Sequence, residues 1–500
     1  MADERKRGGG VSITDPGLRA LALRTILASF PGGRPPDWAL RLLDDGLAGY
    51  VLFGFNVVDR GQVGELVGVL HEARPDAIVG IDEEGGDVTR LSHAEGSPFP
   101  GNAALGAVDD PELTRQVYAA IGGQLHEVGI GLDLAPSVDV NTADDNPIIG
   151  TRSFGSDPQR VSRHAAAAVA GLQAAGVAAC AKHFPGHGST EVDSHLGVPT
   201  VAASLELLRT RELPPFAAAI GAGVLAVMTA HLRVPELTGA DPATLSRAAL
   251  SGLLRGELGF RGVIVTDALE MKGASATHGV PEAAVRSLDA GADLLCLGAR
   301  VDAALVEATA AGIVEAMRSG RLPVARVEEA AARVADLVGW SSGRINGAVS
   351  DPGLGLAAAR RALRVEGKLP ALDAPLVVQL DSAATIAVGD VPWGVTPYLV
   401  EASPTAQVLR IPAGSDGAAA VAVAAAAAGR CIIVVARDTH RHPWARAFVE
   451  ELAARHPGVV LVEMGWPAAW RPRGVLAYVA TYGAGQVNAR AATERLISAG

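Results

Sequence analysis

Five hundred residues with 43 basic and 54 acidic side chains carry a formal net charge of −11, which argues against binding of nucleic acid or an anionic membrane through a basic face. That length exceeds what one hydrophobic core usually organises, so two domains of unequal size are expected. Three cysteines, Cys180, Cys296 and Cys431, are too few and too far apart for a disulfide framework and read as buried apolar thiols in a reducing compartment.

The opening MADERKRGGGVSITDPG is charged but leads into no apolar core, so it does not read as a signal peptide. GAAAVAVAAAAAG, at 417–429, is too short and alanine-rich to span a bilayer. A cytoplasmic protein with no membrane partner is expected. In chain order, short apolar runs ending in glycine or polar residues then recur: 24–32, 49–56, 76–84, 131–139, 177–186, 225–235, 262–271 and 292–298. Most are separated by segments of helical periodicity, such as 111–129 and 157–176.

Near-continuous apolar strands alternating with helices imply a parallel sheet covered on both faces. Eight such units fit a (β/α)8 TIM-like barrel, with an open doubly wound sheet as the competing arrangement. Asp82, Lys182, His183, His231 and Asp267 fall at strand ends, where the loops of a barrel converge into an active site. Residues 1–345 are read as the barrel domain and 346–372 as a linker, because 341–355 is rich in glycine and serine. Residues 373–500 are read as a smaller α/β sandwich domain, with apolar runs at 376–380, 431–438, 458–465 and 474–483. The alanine run at 418–428 reads as a helix.

The densest chemistry lies in KHFPGHGSTEVDSH, residues 182–195. His183, His187 and His195 with Asp193 are zinc-type ligands. Yet no cysteine pair, no H-E-x-x-H helix and no matching ligand spacing accompanies them, so neither metal nor cofactor is expected. Asp193 and His195, two apart in a loop, share one side of an extended segment. The carboxylate can fix one ring nitrogen and leave the other to move a proton. The plainer reading is a loop held together by that bond. In GVIVTDALEMKG, 262–273, Asp267 follows an apolar run and sits at a strand mouth as a helix cap, an ion-pair partner or a nucleophile. Glu270 reads as structural.

Together with GIDEEGGDVTRL (80–91), NPIIGTRSFGSDP (146–158), VMTAHLRVP and PATLS (242–246), these segments resemble glycoside hydrolase family 3 over about residues 14–300. The resemblance is to the bacterial β-N-acetylglucosaminidases of cell-wall recycling, in a two-domain form. It implies Asp267 as nucleophile, His195 as general acid/base and Asp193 as its partner. Asp82, Arg90, Arg152, Lys182 and His183 then grip the sugar. His187, Met228 and His231 match motif positions without an assigned role, and a structural role is expected for each, although Met228 and His231 are placed with that sugar-binding set. Ser189 stands where the family commonly has aspartate, and TDALEM replaces the more usual SDDLEM. Gly186 and Gly188 read as hinges for a mobile dyad loop.

The implied activity is retaining exo-hydrolysis of terminal GlcNAc from muropeptide fragments, chitooligosaccharides or aryl β-glycosides. A phosphorylase using inorganic phosphate on the same intermediate and a β-glucosidase are the alternatives. A sugar-binding protein on a degenerate barrel is disfavoured, because the nucleophile and the dyad are all present. ARDTHRHPW, 436–444, is the loop of the second domain that would lean over the barrel mouth, if it is not simply solvated.

Overall fold

The computed structural model describes residues 16–190, 198–342, 351, 353–382, 385 and 388–499. Eight parallel strands form the first sheet: β1 (Ile26–Ala28), β2 (Gly49–Leu52), β3 (Ile78–Ile81), β4 (Leu132–Asp133), β5 (Ala178–Phe184), β6 (Ala226–Thr229), β7 (Val263–Val265) and β8 (Leu295–Cys296). Each lies within one of the eight predicted runs. Their order is β7-β6-β5-β4-β3-β2-β1-β8, and a parallel bridge between Val265 and Leu294 joins the two ends into a barrel.

The strands are apolar throughout because each side chain parity has a dry face to meet. Leu27, Val51, Ile78, Leu132, Cys180, Met228, Val265 and Cys296 form one cluster that draws on all eight strands, which is the barrel interior. Their neighbours Ile26, Tyr50, Val79, Ala179, Val227 and Ile264 belong to the cluster beneath the surrounding helices. Several of those helices start on an aspartate that accepts a backbone N–H two or three residues on: Asp110 from Leu113 at 3.2 Å and Asp157 from Gln159 at 3.0 Å, each followed by proline. Cys180 and Cys296 are buried in the barrel, and all three thiols are free.

The second sheet has six strands: β9 (Arg364–Gly367), β10 (Leu376–Leu380), β11 (Gln407–Ile411), β12 (Ile432–Ala436), β13 (Val459–Glu463) and β14 (Ala477–Ala480), in the order β11-β10-β12-β13-β14-β9. All pair in parallel except β9, which runs antiparallel to β14. Val378, Val434 and Leu461 face one core, while Val377, Val435 and Val462 face the other. Helices cover both faces, so the domain is the expected sandwich. The alanine run forms the helix Gly417–Ala427, begun by Asp416. No helix among the described residues is long and apolar enough to cross a membrane.

Two strands lie outside the predicted runs. β9 and β11 occupy the two edges, where most side chains meet solvent, so neither carries an apolar run. Within the span read as linker, Leu354–Ala362 is a helix and β9 follows it. LGLAAARRA is built of strong helix formers, and a Cβ at Gly355 would run into the Pro98 carbonyl of the barrel.

Candidate active site

The carboxyl ends of the barrel strands surround a cavity of about 200 Å3. Asp82, Glu84, Arg90, Arg152, Lys182, His183, His187, Met228 and Asp267 all line it, beside Phe53, Ile148 and Met271. Eight of the sequence-predicted residues, His187 among them, therefore meet in one place. Asp193 and His195 lie outside the described residues.

An ion-pair network forms the floor. Lys182, just before the end of β5 at Phe184, is fully buried. Its Nζ reaches Asp82 Oδ1 at 2.6 Å and Glu84 Oε1 at 2.8 Å. Arg152 donates to both oxygens of Glu84, from Nη2 at 2.7 Å and Nε at 2.9 Å. Burial alone would raise the Glu84 carboxyl, but Arg152 and Lys182 outweigh it and hold the group far below the usual carboxylate range. Burial likewise opposes the Lys182 charge, and Asp82 and Glu84 hold its ammonium above its ordinary value. Both stay ionised at neutral pH, so the network presents fixed charges to whatever fills the cavity.

Asp139 organises the second wall. Its Oδ2 accepts from His183 Nδ1 at 2.7 Å, and its Oδ1 from the His187 N–H at 2.7 Å. With Nδ1 protonated, as its carboxylate partner assigns, His183 Nε2 is left beside Arg152 Nη2 at 3.4 Å. Asp139 stays ionised against its burial because His183 and the His187 N–H stabilise its charge. Burial pushes the His187 imidazole down to about 4, so it is neutral at pH 7, and its Nδ1 meets Thr190 Oγ1 at 2.6 Å.

Asp267 follows β7 and is only partly buried. Its own N–H donates to Thr229 Oγ1 at 3.4 Å, and its Oδ1 accepts the Ala268 N–H at 2.7 Å. His231 is a correction to the sequence reading, which placed it with the sugar-binding residues. It is fully buried and absent from the cavity lining. Its Nε2 donates to the Ala268 carbonyl at 2.9 Å, and its Nδ1 meets Thr244 Oγ1 at 2.8 Å. Thr244 also bonds Thr229 at 2.7 Å, so the peptide that carries Asp267 is gripped from both sides. Glu270, read as structural, accepts the N–H groups of Ala299 at 2.6 Å and Arg300 at 3.0 Å and also lines the cavity.

Gly186 and Gly188, read as hinges, are close-approach positions. Gly186 has φ +127° and packs on Glu212, and a Cβ at Gly188 would strike the Val140 carbonyl. The 436–444 loop does meet the barrel. Arg437 pairs with Asp87, and His440 Nε2 donates to the Asp144 carbonyl at 2.8 Å. The second domain also touches a cavity residue, since Arg90 Nη1 donates to the Val388 carbonyl at 3.1 Å.

Sequence reasoning missed Glu84 and Asp139. Alternation past the end of β3 was the available signal for Glu84, which shares a side with Asp82. Glu83 turns away and accepts the N–H groups of Arg90 and Leu91.

Ringed by carboxylates and cations at the mouth of a parallel barrel, the cavity has the hydrogen-bonding groups that a glycosidase needs for sugar hydroxyls. The chain belongs to glycosyl hydrolase family 3, whose N-terminal domain model matches residues 36–337. It is 34% identical over 328 residues to "Beta-hexosaminidase A" of Pseudoalteromonas piscicida, a match covering 61% of this chain and only 55% of that protein. It is 39% identical over 277 residues to "Beta-hexosaminidase" of Stenotrophomonas maltophilia, covering 54% of this chain and 81% of the relative. The fold is shared over both domains with a glycoside hydrolase family 3 beta-N-acetylglucosaminidase from Paenibacillus sp. str. FPU-7. That structure has a TM-score of 0.87 and 32% identity, and the alignment covers 96% of this chain and 97% of the other.

Proposed function

We propose that this glycosidase is a retaining exo-β-N-acetylglucosaminidase. The observation that carries the reading is Asp267, held by its backbone in the wall of a one-ring cavity whose floor is the Lys182–Asp82–Glu84–Arg152 network. A cavity of about 200 Å3 has volume for a terminal residue, which supports exo action. The name of the similar Paenibacillus structure supports GlcNAc as the residue removed, and the names of the two relatives support a hexosamine.

In this reading the cations and carboxylates of the floor bond the ring hydroxyls and strengthen those bonds as the ring flattens. An Asp267 carboxylate oxygen attacks C1 as the C1–O bond to the leaving group breaks. His195, oriented by Asp193, gives its proton to the departing oxygen; these two roles rest on the family resemblance. Water then attacks C1 of the glycosyl-enzyme, His195 takes its proton, and Asp267 is released. Muropeptide fragments, chitooligosaccharides and aryl β-glycosides with terminal GlcNAc are the substrates. The three free thiols support a reducing, cytoplasmic setting.

The test is proton NMR of an aryl β-GlcNAc glycoside during turnover, with and without millimolar phosphate. β-GlcNAc as first product, at a rate indifferent to phosphate, is expected. The α-anomer first would overturn retention. GlcNAc-1-phosphate would replace water by phosphate as acceptor, and cleavage of the matching aryl β-glucoside but not of the GlcNAc glycoside would replace the sugar.

A further inference from the structure

The cavity holds one ring, so the group joined to it must cross the rim, and the rim decides which leaving groups are held. One stretch of that rim is aromatic. β2 ends at Leu52, and Phe53, Gly54, Phe55 and Asn56 follow. Phe53 lines the cavity and is partly buried, whereas Phe55 is 48% exposed. Their rings stack with centroids 5.6 Å apart and planes 17° from parallel. The pair therefore runs from the cavity wall to solvent. Among the described residues, Phe55 is the only aromatic side chain among the exposed large apolar groups, and Val58 on the same loop is another.

Single exposed apolar side chains are common on surfaces and carry no meaning alone. This one is presented by a loop that is fixed from beneath. The fully buried Asn56 side chain donates to the carbonyls of Phe30 at 2.9 Å and Gly32 at 2.7 Å, and its Oδ1 accepts the Phe53 N–H at 3.0 Å. Gln62 Nε2 adds a bond to the Asn56 carbonyl at 3.1 Å. A buried amide thus spends both ends on the shape of a loop whose tip displays a phenyl ring to water, beside a sugar pocket.

We propose that the Phe53–Phe55 stack is the platform of the leaving-group subsite, taking the apolar face of a pyranose ring linked through the scissile bond. A β-linked pyranose turns a face of C–H bonds outward, and those bonds, positive at hydrogen, suit the negative face of an aromatic ring. The assignment rests on the cavity being the subsite for the terminal sugar, as proposed above. Two-ring and longer saccharides are thereby favoured over glycosides whose leaving group ends at a single small atom.

The experiment compares kcat/KM for N,N′-diacetylchitobiose with that for β-GlcNAc fluoride, whose leaving atom reaches no platform. In Phe55→Ala the ratio of the two is expected to fall about tenfold, mostly through KM for the disaccharide, and Phe55→Trp is expected to keep it. An unchanged ratio in Phe55→Ala overturns the platform, whether both activities fall together or neither moves. If the wild type cleaves neither GlcNAc substrate, the function proposed above fails, and cellobiose against β-glucosyl fluoride tests the platform by the same ratio. A wild type that cleaves none of the four overturns both.

Discussion

Asp87 of the barrel and Arg437 of the second domain meet at 3.0 Å in a buried seam, and the Asp87 carboxylate also accepts the Ala484 N–H at 2.7 Å and the Thr151 hydroxyl at 2.7 Å. Thr151 precedes Arg152, and Asp87 follows Glu84 by three residues, so one buried carboxylate ties the second domain to both halves of that cavity ion pair. Arg437→Ala leaves this carboxylate short of its cation. It is expected to cost about 3 kcal/mol of stability and to raise KM more than it lowers kcat. Asp87→Asn in the same chain should recover part of the loss, since the unpaired charge is gone. Urea melts and steady-state kinetics of the single and double variants check this; additive losses would sink it.

Lys182 separates two carboxylates in the dry floor. Lys182→Met is expected to cost about 3–5 kcal/mol at neutral pH, because Asp82 loses its partner and Glu84 keeps only Arg152. In the wild type the Glu84 carboxyl is depressed, so its stabilising effect is present above pH 4.5 and is lost as the pH falls. Without the lysine, a Glu84 carboxyl that protonates more readily makes acid the milder condition. Thermal melts at pH 5 and 7.5 should show a smaller deficit at pH 5, and an equal deficit at both would contradict the account.

His231 acts on Asp267 through the Ala268 carbonyl. His231→Ala is expected to lower kcat by about 10–100-fold, with KM for an aryl glycoside within about twofold of wild type. A rise in KM with kcat intact would return His231 to the sugar-binding set.

Glu212, in the π-helical turn Leu208–Glu212, is buried against Gly186. Its Oε1 accepts from Arg211 Nε at 2.7 Å, and its Oε2 has no hydrogen-bond partner among the described residues. Burial pushes this carboxyl up to about 7 despite Arg211. The folded chain then keeps a proton that the unfolded chain has released, so the stability contributed by Glu212 is fully present below pH 4.5. That contribution is lost as pH rises through about 7, a change of about 3 kcal/mol. Glu212→Gln should flatten that part of the profile, measured as the wild-type-minus-variant difference in urea melts between pH 5 and 8. A difference that stays constant over this range refutes it.

The barrel was legible because its strands are apolar on both parities, and Asp82, Lys182 and Asp267 were legible because each ends such a run. Asp139 was not, since it lies six residues past the end of β4 and its importance comes from two histidines on β5 and the loop after it. His231 was placed on the right loop but the wrong side of it, for whether a ring at a strand end turns to the cavity or to the next strand is decided by Thr244 and Ala268, remote in sequence. β9 and β11 escaped because edge strands that meet water carry no apolar signature.

The edge position of β9 bears on how the enzyme comes into being. Synthesis completes all eight barrel strands before Arg364 is made, and domains generally fold in that order as the chain emerges. β9 is then the first strand of the second sheet to appear, yet its partner β14 is the last. Val388, which steadies Arg90, Arg437 and Ala484, which hold Asp87, also follow later. A nascent barrel therefore lacks the full set of these contacts to Arg90 and Asp87 until β14 and Ala484 just after it have been made.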